Sequence, residues 1–221
     1  MARTLTAATA VRVIAARYPR LDQSDVAARL CDEVQSFIWH RYPWRQSLAE
    51  LPPFHLLEEE PDYGPPMYAV PSDFYGLHNV WIRTSSNMVY PLTVVGEVGI
   101  SVATSIPTQI SYRPENISFR LHPRPSLTAP ENWVEGAYKK NPTKITNANL
   151  TSYILPWDDI YFGVFRKGLV WKVKEDQLGD PTADSDFAKF LMLLENMATA
   201  EGIHSGVRTM APAESFELGG L

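Results

Sequence analysis

The chain has 221 residues, 45% of them hydrophobic and 20% charged, with a formal net charge of −5. That is enough apolar material for one large domain, or a domain with a smaller companion, and too much for a wholly disordered chain. The negative balance argues against tight wrapping of nucleic acid, which needs clustered Lys and Arg, and the single Cys31 excludes an internal disulfide or a Cys-based zinc centre.

The first residues do not resemble a signal peptide, because Arg3, Arg12 and Arg17 interrupt the Ala/Thr/Val stretch. No apolar run reaches the roughly 18 residues of a membrane span. Thr6 to Tyr18 reads as a short Ala-rich helix with Val11, Ile14 and Ala15 on one face, stopped by Pro19. A second helix is expected from Asp22 as N-cap, with Asp25 three positions on and Leu21 packing on Val26 around the cap. Its stripe is Val26, Leu30, Val34 and Ile38, with Cys31 and Phe37 beside it, and it ends near Arg41. Tyr42-Pro43-Trp44 closes it with aromatics, which read as core or domain-seam packing in preference to a binding surface. Leu51 to Pro66, with four prolines and Glu58-Glu59-Glu60, reads as a loop whose glutamates are solvated.

From Met67 to Pro125 no helix is legible and strand signals dominate. Val70 to Tyr75 reads as a turn, Leu77 to Arg83 as a strand, Ser85-Ser86-Asn87 as a turn and Met88 to Tyr90 as the return. Thr108 to Tyr112 and Ile117 to Leu121 alternate polar and apolar residues about Arg113-Pro114-Glu115-Asn116, which predicts a β-hairpin. A further strand is expected near Trp133 to Lys139, with Val134 and Tyr138 inward. Lys139, Lys140 and Lys144 form the one local basic cluster and read as a solvated loop. Helix is expected to reopen at Leu155-Pro156-Trp157-Asp158-Asp159, with Ile160, Val164 and Trp171 on one face; Gly163 and Gly168 weaken it or admit a close neighbour. The last helix has Asp180 as cap, Pro181 at its start, a stripe of Phe187, Phe190, Leu191, Leu194 and Met197, and Gly202 as its C-terminal glycine.

No phosphate loop, dinucleotide fingerprint, nucleophile elbow or His-Glu-x-x-His motif is present, and the five histidines (40, 55, 78, 122, 204) fall in different segments. Asp158-Asp159 has the composition of a general acid pair, but placement at a helix N-terminus explains both without catalysis; Asp184 and Asp186 read the same way, as first-turn, solvent-facing residues. No catalytic, cofactor-binding or metal-binding residues are therefore expected, and no cofactor. The fold class expected is α+β: N- and C-terminal helices (1–50 and 151–202) forming a helical bundle, an inserted antiparallel β domain (51–150), and an extended C-terminal arm (203–221). The sheet aromatics Trp81, Tyr90, Tyr112, Phe119, Trp133 and Tyr138 need a cover, from the sheet itself or from a neighbour.

The order of these segments carries a resemblance. A helix ends in Phe37-Ile38-Trp39 to Trp44, a proline-rich loop follows, and Tyr68-Ala69-Val70-Pro71-Ser72-Asp73-Phe74-Tyr75 leads into a strand. Then come the hairpin ending Leu121-His122-Pro123-Arg124-Pro125, the strand Trp133 to Tyr138, Leu155-Pro156-Trp157, and a Phe/Leu-rich last helix. Across residues 20–202 this resembles the head-to-tail adaptor proteins of tailed bacteriophages. The resemblance implies a non-enzymatic virion protein at the head–tail neck, assembled in the host cytoplasm. It implies a homo-oligomeric ring, usually twelve-fold, under the portal protein and above the tail nozzle or next tail protein. Genomic DNA would cross the channel without sequence-specific contact, and no membrane is involved. It further implies that the C-terminal segment lies on the portal or a neighbouring adaptor, through Ile203, His204, Val207, Met210, Phe216, Leu218 and Leu221. The alternative is a β-sandwich carbohydrate- or protein-binding module, with Trp81 and Trp133 stacking on sugar rings.

Overall fold

The structure is a computed structural model, and it describes residues 3–57, 60, 62–64, 68, 70–96, 104–126, 132–176 and 180–203. Two compact units emerge, one from residues 3–46 with 142–203 and one from residues 47–141. The fold is α+β, with the strands inserted between helices.

The first unit holds four helices around one hydrophobic core. Helix α1 (Ala7–Ala15) starts at Thr6, whose hydroxyl accepts the Thr9 N–H at 3.2 Å. Pro19–Asp22 then forms a 3-10 turn, so Asp22 is not free to cap the next helix. Helix α2 (Ser24–Arg41) begins after Gln23 with no side-chain cap, which corrects the expected start at Asp22. Its stripe is as periodicity predicts: Leu30, Cys31, Val34 and Ile38 are buried. The closing aromatics turn inward, and Trp44 donates its indole N–H to the Ile38 carbonyl at 2.6 Å. The returning chain is stitched to α2: Asp32 accepts the Ile145 N–H at 2.7 Å and Gln35 donates to the Thr143 carbonyl.

Helix α3 (Phe162–Asp176) starts later than Leu155 to Asp159 suggested, after a 3-10 turn at Asp159–Tyr161. Ile160 is 63% exposed and does not share the inward face of Val164 and Trp171. Helix α4 (Ala183–Ala200) has Thr182, not Asp180, at its N-cap position, with no side-chain cap bond; Asp180 instead accepts the Thr182 N–H at 2.8 Å. Phe190, Leu194 and Met197 are buried as expected, with Phe187 and Leu191 partly so. Phe37, Trp171, Phe187 and Phe190 pack ring to ring with centroids 4.5–5.9 Å apart. Gly168 makes that possible: a Cβ there would lie 2.8 Å from Val34 Cγ1 and 2.9 Å from the Phe190 ring. The close neighbours are side chains. Gly202 ends α4 at φ +72°, its N–H bonding the Thr199 carbonyl and the Ile203 N–H the Ala198 carbonyl.

The second unit is a seven-stranded sheet of β1 (Leu48–His55), β2 (Asp62–Tyr63), β3 (Phe74–Arg83), β4 (Val89–Val94), β6 (Gln109–Arg113), β7 (Ser118–His122) and β9 (Trp133–Lys140), in the order β1-β9-β3-β4-β6-β7-β2. A separate parallel pair joins β5 (Thr104–Ser105) to β8 (Arg124–Pro125). The sheet is not wholly antiparallel, because β4 and β6 pair in parallel. The expected loop from Leu51 overlaps a real strand. Pro52 and Pro53 fall where β1 shifts register between Leu51 and Phe54, and β1 is an edge, where missing N–H groups break no ladder on the open side. The hairpin is confirmed as β6–β7, from Gln109↔His122 to Arg113↔Ser118. Its turn lies one residue later than read: Arg113, expected in the turn, ends β6, and Ile117, expected in the strand, sits in the turn at φ +49° and 52% exposed.

The sheet supplies its own cover. Phe54 on β1 stacks on Phe119 of β7 at 5.7 Å although the two strands lie toward opposite ends of the order. The sheet therefore curls around one apolar interior, in which Phe119 also meets Tyr68, Phe74 and Tyr112 within 5.7 Å. Val134 and Tyr138 of β9 face this interior, as the alternation predicts.

Candidate functional site

Among the described residues no group of three His, Cys, Asp or Glu is placed to hold a metal ion. Cys31 is buried, and burial pushes its thiol up to about 12, the behaviour of a packing residue. No helix of the described residues is long and apolar enough to cross a membrane. What the chain does present is shaped and charged surface, built in each unit by identifiable residues.

On the helical unit, α1, α3 and α4 leave an open groove of about 840 Å³. Ile14, Val164 and Met197 floor it, and Arg17, Arg166, Lys167 and Lys174 line its sides. The one carboxylate among the lining residues, Asp186, is already engaged. It accepts from Lys167 Nζ and, at 2.6 Å, from Lys174 Nζ. At the other end Tyr161 lies beside Glu201.

Asp186 corrects the reading of a solvent-facing first-turn acid, for it is only 6% exposed. Its position one turn into α4, opposite two lysines on α3, was not visible in the sequence. Burial opposes its charge, but the two ammoniums outweigh that and hold the carboxyl below its ordinary 3.8. A depressed folded-state value means that stabilisation is complete above the unfolded value and is lost as pH falls through the folded one. Asp186→Asn should therefore destabilise the chain at pH 7, by roughly 3 kcal/mol, because it leaves two partly buried ammoniums without their carboxylate. The gap to the parent chain should close as denaturation is repeated at progressively lower pH, below the carboxylate range.

Asp159 has a different role from either expectation. Its carboxylate accepts the Thr4 N–H at 2.9 Å, the Thr4 hydroxyl at 2.6 Å and the Leu5 N–H at 3.1 Å. The Thr4 bonds, with Leu5 adding to them, lower its pKa. With the Thr6↔Ile154 bridge, this fastens the N-terminal segment to the approach to α3. Neither Asp158 nor Asp159 is arranged as an acid–base pair.

On the sheet's outer face Glu135 gathers three donors. Trp81 Nε1 reaches it at 3.1 Å, Arg83 Nε at 2.8 Å, and Trp133 Nε1 also bonds it. Burial pushes the carboxyl up; the bonds from Trp133, Arg83 and Trp81 outweigh it and leave the group below its usual value. Both indole N–H groups are spent inside the protein, and neither faces outward as a donor. Lys139 corrects the picture of a solvated basic loop: it lies on β9, is 1% exposed, and burial brings its amine down to about 7. Periodicity reads which face a residue takes, not how deeply that face is covered.

Between β1 and β2 the Tyr63 side chain fixes the backbone at Leu57. The Tyr63 hydroxyl accepts the Leu57 N–H at 3.0 Å and donates to the Leu57 carbonyl, and the Glu60 N–H bonds that same carbonyl. This leaves the Leu57 side chain 45% exposed at the head of the Glu58-Glu59-Glu60 run. Of the residues expected in a C-terminal contact, Ile203 packs partly buried on the helical core. His204, Val207, Met210, Phe216, Leu218 and Leu221 lie outside the described residues.

Two comparisons complete the picture. A protein-family model described as SU10 adaptor protein matches residues 6–213, a span that takes in the described helices and strands of both units. A comparison with curated proteins finds no match.

Proposed function

The chain belongs to the SU10 adaptor protein family, and from that premise we propose that it is a structural neck protein of a tailed phage, linking capsid to tail. The family match over nearly the whole chain carries this reading. In it, copies stand side by side in a closed ring, twelve-fold as the resemblance implies, joined through heterologous interfaces that close by rotation. The ring docks under the portal and receives the tail nozzle or next tail protein below, with the β unit toward the nozzle. Residues 203–221 reach the portal or a neighbouring copy through His204, Val207, Met210, Phe216, Leu218 and Leu221, starting from Ile203 at the end of α4. The net charge of −5 suits a channel along which DNA slides without adhering. The work is binding and shape, with no catalytic step.

Mass measurement of the purified chain, alone and with its portal, tests the proposal. The expected result is a discrete ring mass and co-migration with the portal, and cryo-electron microscopy of the virion should place the chain at the neck. A chain that stays monomeric at all concentrations and does not bind the portal overturns it.

A further inference from the structure

The groove on the helical unit and the Leu57-Glu58-Glu59-Glu60 run of the sheet unit are complementary in both charge and polarity. The groove lining carries Arg17, Arg166, Lys167 and Lys174 against the single carboxylate of Asp186, in a chain whose overall balance is −5. Its floor is apolar, which a purely ionic ligand would leave unused. The run offers the matching pair of properties in four consecutive residues: an exposed leucine, then three carboxylates. Its first residue is held by the two bonds between the Tyr63 hydroxyl and the Leu57 backbone.

We infer that the groove between α1, α3 and α4 receives the Leu57–Glu60 run of a second copy of this chain. Leu57 goes to the floor of Ile14, Val164 and Met197, and the glutamates go to the cationic side. Glu201, beside Tyr161, makes the far end of the groove unfavourable for carboxylates and so fixes which way round the run lies. Because the donor and acceptor surfaces are different parts of the chain, the contact is heterologous and can repeat from copy to copy. This rests on the ring reading and names the residues of its side-by-side joint.

Charge reversal in the full-length chain tests it. Arg17→Glu with Arg166→Glu, and separately Glu58→Lys with Glu60→Lys, should each weaken self-association about tenfold or more. Leu57→Ser should weaken it as well. Combining the two reversed pairs in one chain should recover most of the loss, measured by sedimentation and native mass spectrometry at matched salt. Circular dichroism verifies that each variant is folded; Arg17 and Arg166 are exposed, so their replacement leaves the core intact. If the parent chain assembles and the reversals leave its association unchanged, or the combined variant is not rescued, this contact is wrong and the ring reading stands. A parent chain that never self-associates overturns both.

Discussion

Gly136→Ala is expected to unfold the sheet unit or cost it about 4 kcal/mol or more. A Cβ on Gly136 would stand 2.1 Å from the Asn79 carbonyl oxygen and 2.8 Å from Val80 Cα. Both are backbone atoms of β3, so no rotamer change can relieve the clash, and β9 would have to leave its partner. β9 lies between β1 and β3 and pairs with both, so the damage should reach three strands. Denaturant titration gives the loss, and hydrogen exchange should show faster opening of β1, β3 and β9 together. Gly163→Ala provides the contrast, because nothing lies within 4 Å of the added carbon. An alanine at 136 tolerated as well as one at 163 would refute the close approach.

Phe119→Ala should cost the same unit roughly 3–5 kcal/mol. Phe119 is fully buried, stacked on Phe54 at 5.7 Å, with Tyr68 at 5.2 Å and Phe74 at 5.4 Å. Truncation removes the ring by which strands from opposite parts of the sheet meet, so the cavity cannot be closed by moving one neighbour. Phe119→Leu should lose markedly less, because it keeps most of the volume. The order Phe, Leu, Ala in denaturation midpoint is the observable. An alanine variant within about 1 kcal/mol of the parent would show that the curl does not depend on this ring.

How much of this was legible depends on what periodicity encodes. The stripes of α2 and α4 and the alternation of β6, β7 and β9 report which face is apolar, and those faces are buried. The prolines at 52 and 53 hid β1, since local rules assign such a pair to loop and only the sheet order reveals an edge that tolerates them. Ion-pair partners were illegible for another reason. Asp186 finds Lys167 and Lys174, and Asp159 finds Thr4 and Leu5, across distances in sequence that no spacing rule spans. Composition alone marks Gly168 as a place where a neighbour can come close, but which atoms approach is clear only with α2 and α4 in place.

The two margins of the sheet have a consequence for life in a crowded expression host. One margin is interrupted by paired prolines and a register shift, and the other ends in a strand only two residues long. Among the described residues neither gives a stranger's backbone a run of open N–H and C=O groups long enough to zip onto. Backbone zipping between copies is therefore disfavoured at these margins, which leaves recognition between copies to side chains, which can be selective.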